Sequence, residues 1–150
     1  STKKHQGITD KQKKDLKIQT IFKHLVEELE PKIPELLIKQ NTHRELRNLQ
    51  DRLKQLNIEF EDYLKSQQMT SDQLTSRMAY NSLSQLQVEF LIDAIAEKEK
   101  IKAEEKDVKD RLEKIEDKKM KERMKKDKGY QNYLKSLVIK EKVIDHLLKV

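Results

Sequence analysis

Four histidines, His5, His24, His43 and His146, are the first candidates for chemistry, and they are scattered along the chain. None stands at a ligand spacing such as His-Glu-x-x-His, so no metal site is expected. The carboxylates of Asp107, Asp110 and Glu113 are interleaved with lysines three or four positions away. On a helix that spacing makes a solvated, salt-bridged face rather than a catalytic acid pair. There is no glycine-rich phosphate loop, and with no cysteine there is neither a disulfide framework nor a thiolate metal site. No catalytic residue, metal or cofactor is therefore expected. The absence of cysteine fits a reducing cytoplasm, the expected compartment.

What remains is recognition. Between residues 118 and 128 seven Lys or Arg face only Glu122 and Asp127, a local excess of five that accounts for nearly all of the formal charge of +6. Such a run, with Met but no aromatic platform, could bind phosphates non-specifically. It could instead attract acidic partners or ribosomal RNA, or be a solvated helix end that needs no partner. Binding of nucleic acid is not the expected role. Met69, Met78, Met120 and Met124 are flexible and polarisable, suited to surfaces that accept varied partners. Ordinary packing between helices is the alternative for each. For the cluster Phe60, Tyr63 and Leu64 the alternative is a self-packed tip.

These residues must be carried by helices. Two Gly and two Pro in 150 residues leave almost no turn chemistry. Good helix formers dominate, and no segment alternates as a half-buried strand would. The expected class is all-α. One domain is the default at this length, with an elongated one permitted. A compact domain would bury ~70% of its unfolded surface. With 40% charged and 35% hydrophobic residues and no Trp, the chain has little material for a thick core. Thin, extended helical layers fit better. No apolar run approaches the ~18 residues of a membrane span, and no membrane partner is expected.

The least charged long stretch, Leu86 to Ile101, has an apolar arc (Leu83, Leu86, Phe90, Leu91, Ala94, Ile95, widened by Val88 and Ile92) too wide for a single neighbour. It is expected to be a central helix with others packed around more than half of it. Ahead of it, a polar, basic stretch at 1–8 reads as a disordered or preparation-derived leader, and both ends look like cuts in a longer protein. A helix at about 10–29 carries Ile18, Ile21, Phe22, Leu25, Val26 and Leu29 on one face, and Glu30-Pro31 ends it. The next, at about 34–56, opens with Pro34 in a tolerated position. It closes on the seam Leu46, Leu49, Leu53 and Leu56, with a polar and weakly packed middle at Gln40, Asn41, Thr42 and His43. After a break at Asn57 come a short helix at 59–66 and a capping box, Thr70 with Gln73, opening the longest helix at about 71–100. Its first part, with Leu74, Met78 and Leu83, could return along that leucine seam as a hairpin. A further helix from Ala103, bearing Val108, Leu112 and Ile115, is expected to run through the basic stretch until Gly129 closes it. A last one at about 130–148 completes two hairpins flanking the central helix.

Four stretches, Ile33–Ile38, Phe60–Leu74, Leu91–Glu99 and Ile139–Leu148, stand in an order that resembles the C-terminal domain of the bacterial ribosome-associated chaperone trigger factor. Ile33-Pro34-Glu35-Leu36-Leu37-Ile38 looks like that family's IPExLI-type helix start. Phe60-Glu61-Asp62-Tyr63-Leu64 followed by Thr70-Ser71-Asp72-Gln73-Leu74 resembles its short tip helix and the restart after it. Leu91-Ile92-Asp93-Ala94-Ile95-Ala96-Glu97-Lys98-Glu99 is similar to its LxxAIAEKE core, and the end from Ile139 through Leu148 to its LLREKxxDxLL ending. The likeness covers about 9–150. Each motif alone is ordinary helix sequence; four in order at fitting distances are specific.

The resemblance implies an elongated body, 9–30 with 86–101, carrying two arms at 34–86 and 104–150. These would hold unfolded or nascent polypeptides without ATP. Client contact is then expected at Ile58, Phe60, Tyr63, Leu64, Met69, Leu74, Met78, Met120, Met124, Tyr130, Tyr133, Leu134 and Leu137. The family's ribosome-docking and peptidyl-prolyl isomerase domains do not occur in these residues, so the chain is not expected to be an enzyme, and any ribosome contact would come through a domain absent here. Weak self-association through exposed faces is left open. The positive charge departs from the mostly acidic members of the family, which bears on client preference rather than on fold. The alternative, from a different class, is a helical scaffold or nucleic-acid-associated protein using the basic run 118–128.

Overall fold

The computed structural model describes residues 8–150. The expected leader, Ile8 apart, and His5 lie outside the described residues. Every regular element among the described residues is a helix: α1 (Asp10–Leu29), α2 (Glu35–Gln55), α3 (Phe60–Ser66), α4 (Ser71–Lys98), α5 (Glu105–Glu113), α6 (Lys118–Lys126) and α7 (Lys128–Lys149). The fold is all-α, as expected. Its contacts gather into two compact units, one of Leu29–Phe90 and one of residues 8–28 with Leu91–Val150.

The starts of α1 and α4 are written in side chains. Thr9 and Gln12 exchange bonds across the first turn of α1, the Gln12 amide donating to Thr9 Oγ1 at 3.3 Å and the Thr9 amide to Gln12 Oε1 at 2.8 Å. Thr70 and Gln73 do the same for α4 at 3.2 and 2.9 Å, so the expected capping box is present. The stops use no glycine. Glu30, Asn57, Gln68 and Lys100 all take positive φ, between 42° and 55°. After the last three the chain closes the helix twice over. Ile58 donates to the Leu53 carbonyl and Asn57 to that of Lys54. Met69 and Gln68 repeat the pattern on Leu64 and Lys65, and Ile101 and Lys100 on Ala96 and Glu97. This is the Schellman arrangement, which satisfies the carbonyls a helix end leaves orphaned.

In the unit Leu29–Phe90, α2 and α4 run antiparallel. Gln87 Nε2 donates to the Pro31 carbonyl at 3.3 Å, and Glu45 shares a cavity with Arg77, Met78, Asn81, Ser82 and Gln85. Leu53 and Leu74 are its buried apolar side chains. The expected weak packing at the middle of α2 is not found, since Asn41 and Thr42 are both buried there, as is Ser82 on α4. Thr42 Oγ1 donates to the Ile38 carbonyl at 2.7 Å, and Arg44 donates to Asn41 Oδ1. Leu56, expected in the seam, is exposed because it is the cap residue where α2 has already ended.

In the other unit Leu91, Ile92 and Ala96 of α4 are buried, while Ala94 is exposed and Phe90, at the edge of the first unit, is 38% exposed. Phe22 of α1, with Ile18 and Ile21, faces Ile144, Leu147 and Leu148 of α7. α7 runs antiparallel to the chain before it. Glu99 approaches His146 at 3.8 Å, Asp107 binds Lys142 at 2.7 Å, and Arg111 pairs with Glu141.

The helix expected to run unbroken from Ala103 to Gly129 is two helices, α5 and α6. Asp117 caps α6, accepting from the Met120 amide at 3.0 Å, and Asp127 caps α7, accepting from the Tyr130 amide at 3.0 Å. Gly129 does not close a helix. It lies in the first turn of α7 with φ outside the positive range.

Candidate client-binding surface

The tip of the α2–α4 hairpin is built by two helix stops in succession. Each places an apolar residue directly after the left-handed one, Ile58 after Asn57 and Met69 after Gln68. Ile58 is 41% exposed and Met69 half-buried. Ile58 and Phe60 line a groove of about 490 Å3 with Leu53 at its base and Gln50, Lys54, Asn57 and Glu59 at its polar rim. Phe60, Tyr63 and Leu64 fall at spacings of three and four on α3, and all are half-buried. Met78 is half-buried in the separate cavity beside Ser82. Leu74 is not at the surface at all: 1% exposed, it packs inside the unit.

The second group sits on α6 and α7. Val108, Leu112 and Leu134 form a small core, with Ile115, Met124, Tyr130 and Leu137 packed against it. Leu134, 5% exposed, is therefore a core residue and not a contact surface. Its neighbour Tyr133 points the other way and is 56% exposed, its ring 6.1 Å from that of Tyr130 in a tilted pair. Met120 is 48% exposed.

Exposed apolar residues also stand where none was expected. Leu36, Leu56 and Tyr80 are more open than any member of the tip cluster. Of the residues three and four positions from Tyr80, Ser76, Arg77 and Ser84 are polar and Leu83 alone is apolar, a thinness that was a readable signal. Leu36 lies in the first turn of α2.

Two cations of α6, Lys121 and Lys125, are paired with a carboxylate of α5. The Glu113 carboxylate at the end of α5 takes Lys125 Nζ at 3.1 Å and Lys121 Nζ at 3.4 Å. Those bonds, Lys125's first, hold its pKa below the usual glutamate range and push that of Lys125 up. Asp107 is likewise lowered, first by Lys142 and then by the Glu104 amide, which donates to it at 2.8 Å. Among the described residues no three His, Asp or Glu gather as metal ligands, and no helix is long and apolar enough to cross a membrane.

The family model for the bacterial trigger factor protein C-terminus matches residues 2–149. The chain belongs to that family. Comparison with curated proteins and with solved structures gave no match. The trigger factor C-terminus is a helical, non-catalytic domain associated with chaperone work and the binding of unfolded polypeptides.

Proposed function

We propose that this chain holds unfolded or nascent polypeptides, without ATP, on apolar side chains displayed by its α2–α4 hairpin and its α5–α7 segment as two arms. One observation carries the reading. Among the described residues eleven apolar side chains are buried and an equal number of large ones are exposed. Singly exposed apolar residues are ordinary. An exposed set as large as the core is what a surface for unfolded partners needs, because such partners offer apolar segments with no fixed shape.

Ile58, Phe60 and the groove above Leu53 form one contact point, with Met69, Tyr63 and Leu64 around it. Tyr133 and Met120 form another. Met78, Met124, Tyr130 and Leu137 are half-buried and contribute where they reach the surface. Leu74 and Leu134 act from within, as supports. A photoreactive residue in place of Ile58 or Tyr133 should crosslink to a chemically unfolded enzyme, not to the same enzyme folded, with a yield indifferent to ATP. Equal yields with folded and unfolded enzyme would remove the reading.

A further inference from the structure

Helix α6 divides its cations into two sets. Lys121 and Lys125 lie over Glu113. Away from them, Lys119, Arg123 and Lys126 follow at spacings of four and three, which puts them on one ridge. All three are exposed, and among the described residues none has a carboxylate oxygen within salt-bridge distance. The nearby carboxylates are engaged elsewhere: Glu122 approaches Lys125 at 3.6 Å, while Asp117 and Asp127 serve as N-caps. Met120, exposed and three residues before Arg123, borders the ridge.

This arrangement strains its own helix. Like charges three and four residues apart repel, and Lys118 and Lys119 stand at the positive end of the helix dipole, where the single carboxylate of the Asp117 cap faces two lysines. An anionic ligand along the ridge relieves both. We propose that the ridge Lys119–Arg123–Lys126 docks acidic segments of unfolded polypeptides, an inference that rests on the client-holding reading and names a class of client for it. The spacing suits such a segment. The cations rise along the helix by about 6 Å and then about 4.5 Å, and an extended chain presents alternate side chains on one side about 7 Å apart. Long lysine and arginine side chains absorb the difference. A polypeptide fits better than a nucleic acid because α6 has no aromatic ring on which bases could stack, whereas the Met120 thioether accepts varied apolar side chains beside the carboxylates.

The test uses the full chain and three dye-labelled, unstructured peptides that alternate serine with glutamate, glutamine or lysine and carry a single leucine. At low salt the glutamate peptide should bind roughly tenfold more tightly than its glutamine counterpart, and the lysine peptide least. The advantage should vanish at ~1 M salt and in Lys119→Gln/Arg123→Gln/Lys126→Gln, whose helix propensity is nearly unchanged. Removing the same charge from α1, in Lys11→Gln/Lys14→Gln/Lys17→Gln, should leave the advantage in place. Equal binding of glutamate and glutamine peptides, or a preference unmoved by the α6 substitutions, overturns the inference. A single-stranded RNA oligonucleotide or anionic lipid vesicle that binds more tightly through the same three residues overturns the assignment to polypeptide. Suppression of aggregation of a neutral unfolded enzyme is measured alongside. If that persists while the glutamate preference is absent, this inference alone fails; if that is absent, the client-holding reading falls too.

Discussion

Lys142 of α7 joins three pieces of chain with one ammonium group: its Nζ donates to Asp107 Oδ2 at 2.7 Å and to the Lys102 carbonyl at 3.0 Å. Asp107 in turn accepts from the Glu104 amide, fixing the start of α5. Both bonds favour the ionised carboxylate, so its pKa is lower folded than unfolded. A lowered carboxylate pKa contributes stability that is present above the unfolded value and is lost as pH falls through the folded one. The thermal midpoint of the chain should therefore fall on acidification below the usual carboxylate range, with Glu113 adding in the same direction. Asp107→Asn should lower the midpoint at neutral pH and flatten its acid dependence. Melting curves followed by circular dichroism across that range check both statements.

Tyr133 and Leu134 are adjacent in sequence and opposite in consequence. Leu134 packs with Val108 and Leu112, and Leu134→Ala should cost about 2–5 kcal/mol of stability. Tyr133→Ser should change stability by no more than about 0.5 kcal/mol while weakening the hold on unfolded protein. Urea unfolding of the two variants separates a supporting residue from a displayed one.

Lys100 closes α4 in a left-handed conformation, with φ of 55°, that costs an L-residue about 1–2 kcal/mol. Lys100→Gly should stabilise the chain by about 1 kcal/mol, and Lys100→Ala should not. Asn57→Gly should stabilise less, because asparagine tolerates that region better. Denaturant midpoints at constant slope provide the measure.

Much of this was legible beforehand. The Thr70–Gln73 box, the stop at Asn57 and the face of α1 from Ile18 to Val26 are local features, decided by neighbours a few residues away, and the sequence shows those neighbours; Leu29, expected on that face, is exposed at the helix end. The breaks at Asp117 and Asp127 were less plain, because an aspartate in a lysine-rich run reads equally as a salt-bridging helix residue or as a cap. Only its bond to the amide three residues on decides. Asn41 and Thr42 were read as weakly packed because polarity was taken for exposure, yet their small size, like that of Ser82 on α4, lets them be buried. Ser82 Oγ and Asn41 Nδ2 have no partner among the described residues, which no sequence pattern announces. For Leu74 and Leu134 the sequence placed an apolar side chain correctly but could not say whether the protein's own helices would cover it.

The central claim is that exposed apolar side chains of these hairpins bind unfolded protein, and aggregation of a chemically unfolded enzyme tests it most directly. Light scattering is followed after dilution from denaturant, without ATP, with and without an equimolar amount of the chain. The wild-type chain should slow aggregation, and Ile58→Ser/Tyr80→Ser/Tyr133→Ser should lose most of that effect while helicity and melting temperature stay unchanged. Aggregation untouched by the wild-type chain, or slowed equally by the triple variant, would contradict the account.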